Sequence, residues 1–201
     1  LLDEDVWSLG EPITGFFQRE PVEGDPVSER TEVRIISDGE SLYIGAWLYD
    51  RNPDQIVSGE EFRDADIRKV ADHFGVIFDT YQDRQNGFVF ITTPAAIEYD
   101  GQVAREGVGG GMFQAGQTRQ QSGAAGGFNL NWDGSWEVAT SRNGEGWYAE
   151  FRIPFSTLRY GGGSDQTWGM NMVRRIRRQN EESFWAPIPR QHNLYRLSLG
   201  G

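Results

Sequence analysis

W-Y-A-E-F-R-I-P-F-S-T-L-R-Y, from Trp147 to Tyr160, is the stretch on which the fold turns. Trp147, Ala149, Phe151 and Ile153 alternate with Tyr148, Glu150 and Arg152. A period of two puts the first set on one face of a strand and the second set on the other. Pro154 removes a backbone donor, so the strand stops or lies at an edge there. Ser156, Thr157 and Leu158 fit one helical turn that tucks Phe155 and Leu158 against the sheet, and the glycines at 161–163 end the unit.

Working outward, the same period recurs. Thr31 to Ile36 alternates, residues 37–40 make a turn, and Leu42 to Asp50 reads as the returning strand of a hairpin. In that strand Leu42, Ile44, Ala46 and Leu48 share one face, and Tyr43, Trp47 and Tyr49 the other. Phe74 to Thr80 and Gly87 to Thr93 form a second hairpin around the turn residues Asp83 and Asn86. Phe128 to Trp132 and Trp136 to Ser141 are strands flanking Asp133, Gly134 and Ser135. Thr167 to Arg178 is a long strand with Trp168, Met170 and Met172 on one face. Phe184-Trp185 and Tyr195 to Leu199 close the pattern. Residues 1–31 are irregular, with Phe16 and Phe17 as anchors and an extended loop marked by Pro21, Gly24 and Pro26. Residues 54–57 and 64–70 suit short helices, and 101–127 is a glycine-rich loop. About ten short strands with turns between them describe an all-β protein. The expected fold is an antiparallel β-sandwich of the jelly-roll or immunoglobulin-like kind, with short helical turns and a long Gly-rich loop. It forms one domain over residues 1–201, expected to be excised from a longer protein.

Composition narrows the function. The 201 residues carry a net charge of -11, which opposes nucleic acid or an anionic membrane surface as partner, because phosphates need a positive field. There is no cysteine, so thiol catalysis and Cys-type zinc sites are excluded. No apolar run approaches the ~18 residues of a membrane span, and no signal peptide is visible from Leu1. The glycine-rich loop lacks a phosphate-loop lysine and does not open a helix with G-x-G-x-x-G, so it is not read as nucleotide-binding. Neither G-x-S-x-G nor H-E-x-x-H occurs, and nothing in the sequence demands an enzyme.

Five stretches together resemble a known family. They are F-Q-R-E-P-V-E-G-D-P-V-S-E-R-T-E-V-R (Phe17 to Arg34), L-Y-I-G-A-W-L-Y-D-R-N-P (Leu42 to Pro53) and F-G-V-I-F-D-T-Y-Q-D-R (Phe74 to Arg84), then G-W-Y-A-E-F-R-I-P-F-S-T-L-R-Y (Gly146 to Tyr160) and W-G-M-N-M-V-R-R-I-R-R-Q-N-E-E-S-F-W (Trp168 to Trp185). The chain is similar to carbohydrate-binding modules of family nine, within the wider group of DOMON-like sandwiches. The N-P-x-G that follows the hairpin in that family stands here as Thr93-Pro94-Ala95-Ala96. The resemblance implies a non-catalytic module that binds an oligosaccharide or polysaccharide. It implies a periplasmic or extracellular, outer-membrane-associated place at the bacterial envelope. It also implies a C-terminal barrel domain of the same chain as a partner, and the alternative that the module only docks there.

Sugar rings stack on aromatic faces while their hydroxyls need polar partners. Trp47, Trp132, Trp136 and Trp185 are the carbohydrate-binding candidates, with Asp133 in the turn between two of them and His73 beside Asp72 at a strand start. Asp79 and Asp83 bracket a hairpin turn and are the metal candidates. Calcium takes about six to eight oxygens from such loops, and the resemblance implies it as a structural ion. A haem-binding relative would need axial ligands, and His73, His192, Met112, Met170 and Met172 are the residues that exist for that role. The basic run Arg174-Arg175-Ile176-Arg177-Arg178 either pairs with acidic loops or offers a docking surface.

Overall fold

The computed structural model describes residues 2, 4–59, 67–107, 127–163 and 165–201. Among the described residues eleven strands run in chain order: β1 Phe17–Glu20, β2 Thr31–Ser37, β3 Ser41–Tyr49, β4 His73–Asp79, β5 Gly87–Thr92, β6 Glu98–Val103, β7 Phe128–Asn129, β8 Glu137–Asn143, β9 Gly146–Pro154, β10 Gly169–Ile176 and β11 Glu181–Phe184. They form a four-stranded sheet, β2-β3-β9-β8, facing a seven-stranded sheet, β1-β11-β10-β4-β5-β6-β7. Every pairing is antiparallel. The expected sandwich is the fold.

The Trp147 stretch lies inside the smaller sheet as β9, between β3 and β8. Its last residue, Pro154, pairs with Ser41 where the ladder ends. Trp147, Ala149, Phe151 and Ile153 face the opposing sheet and meet Phe74, Val76, Phe78, Phe88, Phe90 and Met172 in one core. After Pro154 the chain makes a single turn, with the Thr157 N–H donating to the Pro154 carbonyl at 2.9 Å, and Leu158 is buried by it.

The seven-stranded sheet is covered on its outer face too. Ile77, Val89, Ile91 and Val173 pack beneath Ile188, Leu194, Tyr195 and Leu197 of the C-terminal segment. This corrects the expected strand at Tyr195 to Leu199. That segment holds a 3₁₀ turn, Leu197–Leu199, whose Leu197 packs down onto the sheet. The helix expected over residues 64–70 is one turn, Ile67–Val70, with 64–66 outside the described residues. A 3₁₀ turn at Pro53–Gln55 stands near the helix expected at 54–57. The strands expected to run on to Trp132 and to begin at Trp136 are Phe128–Asn129 and Glu137–Asn143. β1 and β6 lie where only loop was expected.

At the Tyr49 and Gly146 end, charged groups tie the two sheets together. Arg174 of β10 is 2 % exposed and its guanidinium crosses to the other sheet. It donates to the Arg30 carbonyl at 2.7 Å, the Thr31 hydroxyl at 2.9 Å and the Tyr49 carbonyl at 2.6 Å. Arg178 bonds Glu29 at 3.1 Å and Asp50 at 2.5 Å. The buried Asp72 accepts the Arg177 backbone N–H at 2.7 Å. Burial pushes the Asp72 carboxyl up to about 6, against the Arg177 hydrogen bond and the Arg174 charge. Burial also pulls Arg174 down to about 10, against the opposing pull of Asp72 and Asp50. Arg174 and Arg178 of the basic run therefore pair inward, while Arg177 is exposed. A docking surface built on Arg174 is ruled out by its burial, because the sheet needs that side chain to satisfy main-chain carbonyls.

Candidate functional site

The opposite end of the sandwich is aromatic. There the β2–β3 turn, the β4–β5 turn and the segment after Pro154 converge, because β3 begins at Ser41, β4 ends at Asp79 and β10 begins at Gly169, paired with Asp79. Phe155, Tyr160 and Trp168 gather around a groove of about 350 Å³ that Gly39, Gly163 and Gln166 also line. The Tyr160 and Trp168 ring centroids lie 5.5 Å apart, Phe155 and Trp168 6.0 Å, and Phe155 and Tyr160 6.4 Å. Trp168 is anchored beneath by Phe78 at 6.1 Å. Tyr160 is 40 % exposed, so part of its ring surface is open to a ligand. The Trp168 indole N–H is buried and has no acceptor among the described residues. Gln166 donates to the Gly163 carbonyl at 3.1 Å, which fixes its amide at the groove rim.

A second cleft, of about 340 Å³, adjoins the first along residues 159 and 160. Phe88, Tyr81, Gln102 and Arg159 line it, with Asp83 and Asn86 at its edge. The turn that shapes it is built by two carboxylates. Asp79 is buried and accepts the backbone N–H groups of Asp83 at 3.2 Å and Arg84 at 2.7 Å. Asp83 accepts those of Gln85 and Asn86, both at 2.8 Å, and the Asn86 side-chain amide at 2.5 Å. Burial raises the Asp83 pKa, but the bonds from Asn86 and Gln85 outweigh it and hold the carboxyl below its ordinary value. Both carboxylates are thus committed to main-chain donors. No group of three His, Cys, Asp or Glu side chains suited to a metal ion gathers among the described residues.

The residues singled out from sequence are scattered. Trp132 stands behind the second cleft, 5.1 Å from Phe88 and 5.9 Å from Phe90. Trp136 is in the core, 7 % exposed, stacked on Phe151 at 5.7 Å and T-shaped against Phe90 at 5.3 Å. Asp133 is exposed beside Gly134, whose N–H goes to Asp100. Trp185 packs against the core near Gly201, which bonds Met170, so it lies toward the aromatic end. Trp47 lies on the outer face of the smaller sheet, with Trp7 edge-on at 5.9 Å and the Arg34 guanidinium at 5.9 Å. His73 is buried at the far end, where β4 begins. Met172 is buried in the core, Met170 packs against it, and Met112 lies outside the described residues. Tyr81, Phe155, Tyr160, Trp168, Arg159 and Gln166 were missed. The one usable signal was Tyr160 before three glycines, an aromatic that leaves its strand before the chain can bury it.

No protein-family model matches the sequence, and no curated protein matches it. Solved structures do match in three dimensions. A family 9 carbohydrate-binding module from Caldicellulosiruptor kristjanssonii, in complex with glucose, has a TM-score of 0.60 and 12% identity over 98% of this chain and 85% of that one. A structure of a family 9 module from the same organism with cellotriose has a TM-score of 0.57 and 11% identity, over 98% and 83%. A candidate carbohydrate-binding protein from Bacteroides uniformis has a TM-score of 0.62 and 14% identity, over 94% and 84%. At such identities the likeness speaks to the fold alone: this chain has the two-sheet fold of a family 9 carbohydrate-binding module.

Proposed function

We propose that the protein binds a carbohydrate, without converting it, in the groove of Phe155, Tyr160 and Trp168. The observation that carries this is the open arrangement of three rings around a cavity with an amide at its rim. Sugar C–H faces stack on such rings, and hydroxyls pair with amides and indole N–H groups. The glucose and cellotriose complexes of similarly folded modules favour the same class of ligand. Its place at the bacterial envelope, ahead of a barrel domain, rests on the resemblance of its sequence stretches.

The test is a tryptophan-fluorescence titration against soluble oligosaccharides, with and without calcium. A saturable change that disappears in Trp168→Ala and weakens in Tyr160→Ala is the expected result. A folded domain that gives no change with any glycan would sink the reading. A change that depends on calcium would point to a bound ion, and Asp79→Asn and Asp83→Asn would test whether that pair holds it.

A further inference from the structure

The second cleft has a chemistry of its own. Its Phe88 and Tyr81 are aromatic, and Tyr81 is 52 % exposed. Gln102 supplies both a donor and an acceptor. Arg159 is exposed, and among the described residues no carboxylate pairs with its guanidinium. Arg84, in the adjoining turn, is exposed and without an ion pair in the same sense. Other arginines of this acidic chain, such as Arg19, Arg178, Arg190 and Arg196, are set on carboxylates, while Arg105, Arg142 and Arg177 are exposed without one among the described residues but do not line this cleft. The one acid lining the cleft, Asp83, stays ionised but spends its oxygens on Gln85 and Asn86, and no bond to Arg159 is formed.

We infer that this cleft is a subsite for an acidic sugar, a uronic acid unit whose carboxylate is held by Arg159 while its ring rests on Tyr81. Planar guanidinium and planar carboxylate match in a bidentate pair. Gln102 lines the same cleft and can pair with ring hydroxyls. Arg159 and Tyr160 are consecutive, and each lines one of the two cavities, so a saccharide in the aromatic groove can continue into the cleft. The net charge of -11 sets a limit on the ligand. A polyuronide would be repelled by the protein as a whole, and an otherwise neutral glycan carrying single acidic units far less. The inference rests on the aromatic groove being a sugar site.

The experiment uses one otherwise neutral trisaccharide bearing a single glucuronic acid and the same saccharide with its carboxyl reduced to a primary alcohol. Titration calorimetry at low salt is expected to show the acidic form binding about tenfold tighter. Arg159→Gln is expected to abolish that preference, so that the acidic and reduced forms bind alike, and Arg159→Lys to keep part of it. Trp168→Ala weakens both forms together. Equal binding of the two forms by the wild type overturns the subsite, as does a preference that survives Arg159→Gln. In either case binding of the reduced form leaves the groove reading standing. Failure of the wild type to bind either form removes both.

Discussion

Arg174 and Tyr49 are joined across the sandwich, the guanidinium of one sheet donating to the main-chain carbonyl of the other at 2.6 Å. The same side chain satisfies the Arg30 carbonyl and the Thr31 hydroxyl. Replacing Arg174 with methionine keeps most of the volume and removes every donor. It leaves buried acceptors unanswered and Asp72 without its nearest opposite charge. A loss of about 3–5 kcal/mol is expected, the cost of breaking a buried charged network from one side. A urea unfolding curve measures it. A midpoint within error of the wild type would show that the crossing carries no stability.

Asp72 gives the fold a pH dependence of defined sign. Its folded pKa, about 6, lies above its ordinary value of 3.8. The native state therefore holds the proton more tightly than the unfolded chain does. This contribution is fully present below about pH 4 and is lost as pH rises through 6. Stability is expected to fall by on the order of 2 kcal/mol over that window, and the fall should be absent in Asp72→Asn. Thermal melts of the two proteins from pH 4 to 8 compare the slopes. Parallel curves would refute the assignment.

Two tryptophans should separate stability from binding. Trp136 is stacked in the core, and Trp136→Ala is expected to cost about 3–5 kcal/mol. Trp168 lines the groove, and Trp168→Ala is expected to cost about 1–2 kcal/mol while removing glycan binding. Trp168→Phe keeps a ring and loses the N–H, so weakened binding is expected. Chemical unfolding read beside a glycan titration tests all three. Binding intact in Trp168→Ala would exclude the groove.

Gly101 sits in the middle of β6 with the Phe128 ring against it, and a Cβ there would run into that ring. Phe128 in turn stacks on Tyr195 at 4.4 Å. Valine is the better strand former, by up to about 1 kcal/mol. Overpacking costs about 1–3 kcal/mol and wins. Gly101→Val is thus expected to be destabilising, with faster hydrogen exchange in β6 and β7. A more stable variant would mean that the ring stack gives way without cost.

How much of this was legible depended on where each strand gets its burial. β2, β3, β4, β5, β9 and the core face of β10 bury one side in the sandwich, so their alternation is visible in sequence. β6 reads Glu98-Tyr99-Asp100-Gly101-Gln102-Val103, with two acids and a glycine. It is a strand because Phe128 and Tyr195, distant in sequence, cover it. The C-terminal segment showed apolar residues but not their spacing against a sheet face, and so passed for a strand. Trp132 and Trp136 looked alike on either side of one turn, yet only contact with Phe151 puts Trp136 in the core. The groove was hidden because its rings come from the segment after β9 and the start of β10, brought together by the pairing of Gly169 with Asp79.

The two ends of the sandwich are built for different rates of change. The salt-linked end fixes both sheets through main-chain carbonyls, where a substitution is felt by the whole fold. The aromatic end hangs its rings on turns and on a segment that has already left its strand. Loops there can be exchanged, lengthened or recoded with the scaffold held from behind. A library confined to residues 81–86 and 159–168 would alter ligand choice while sparing the ties that hold the sheets together.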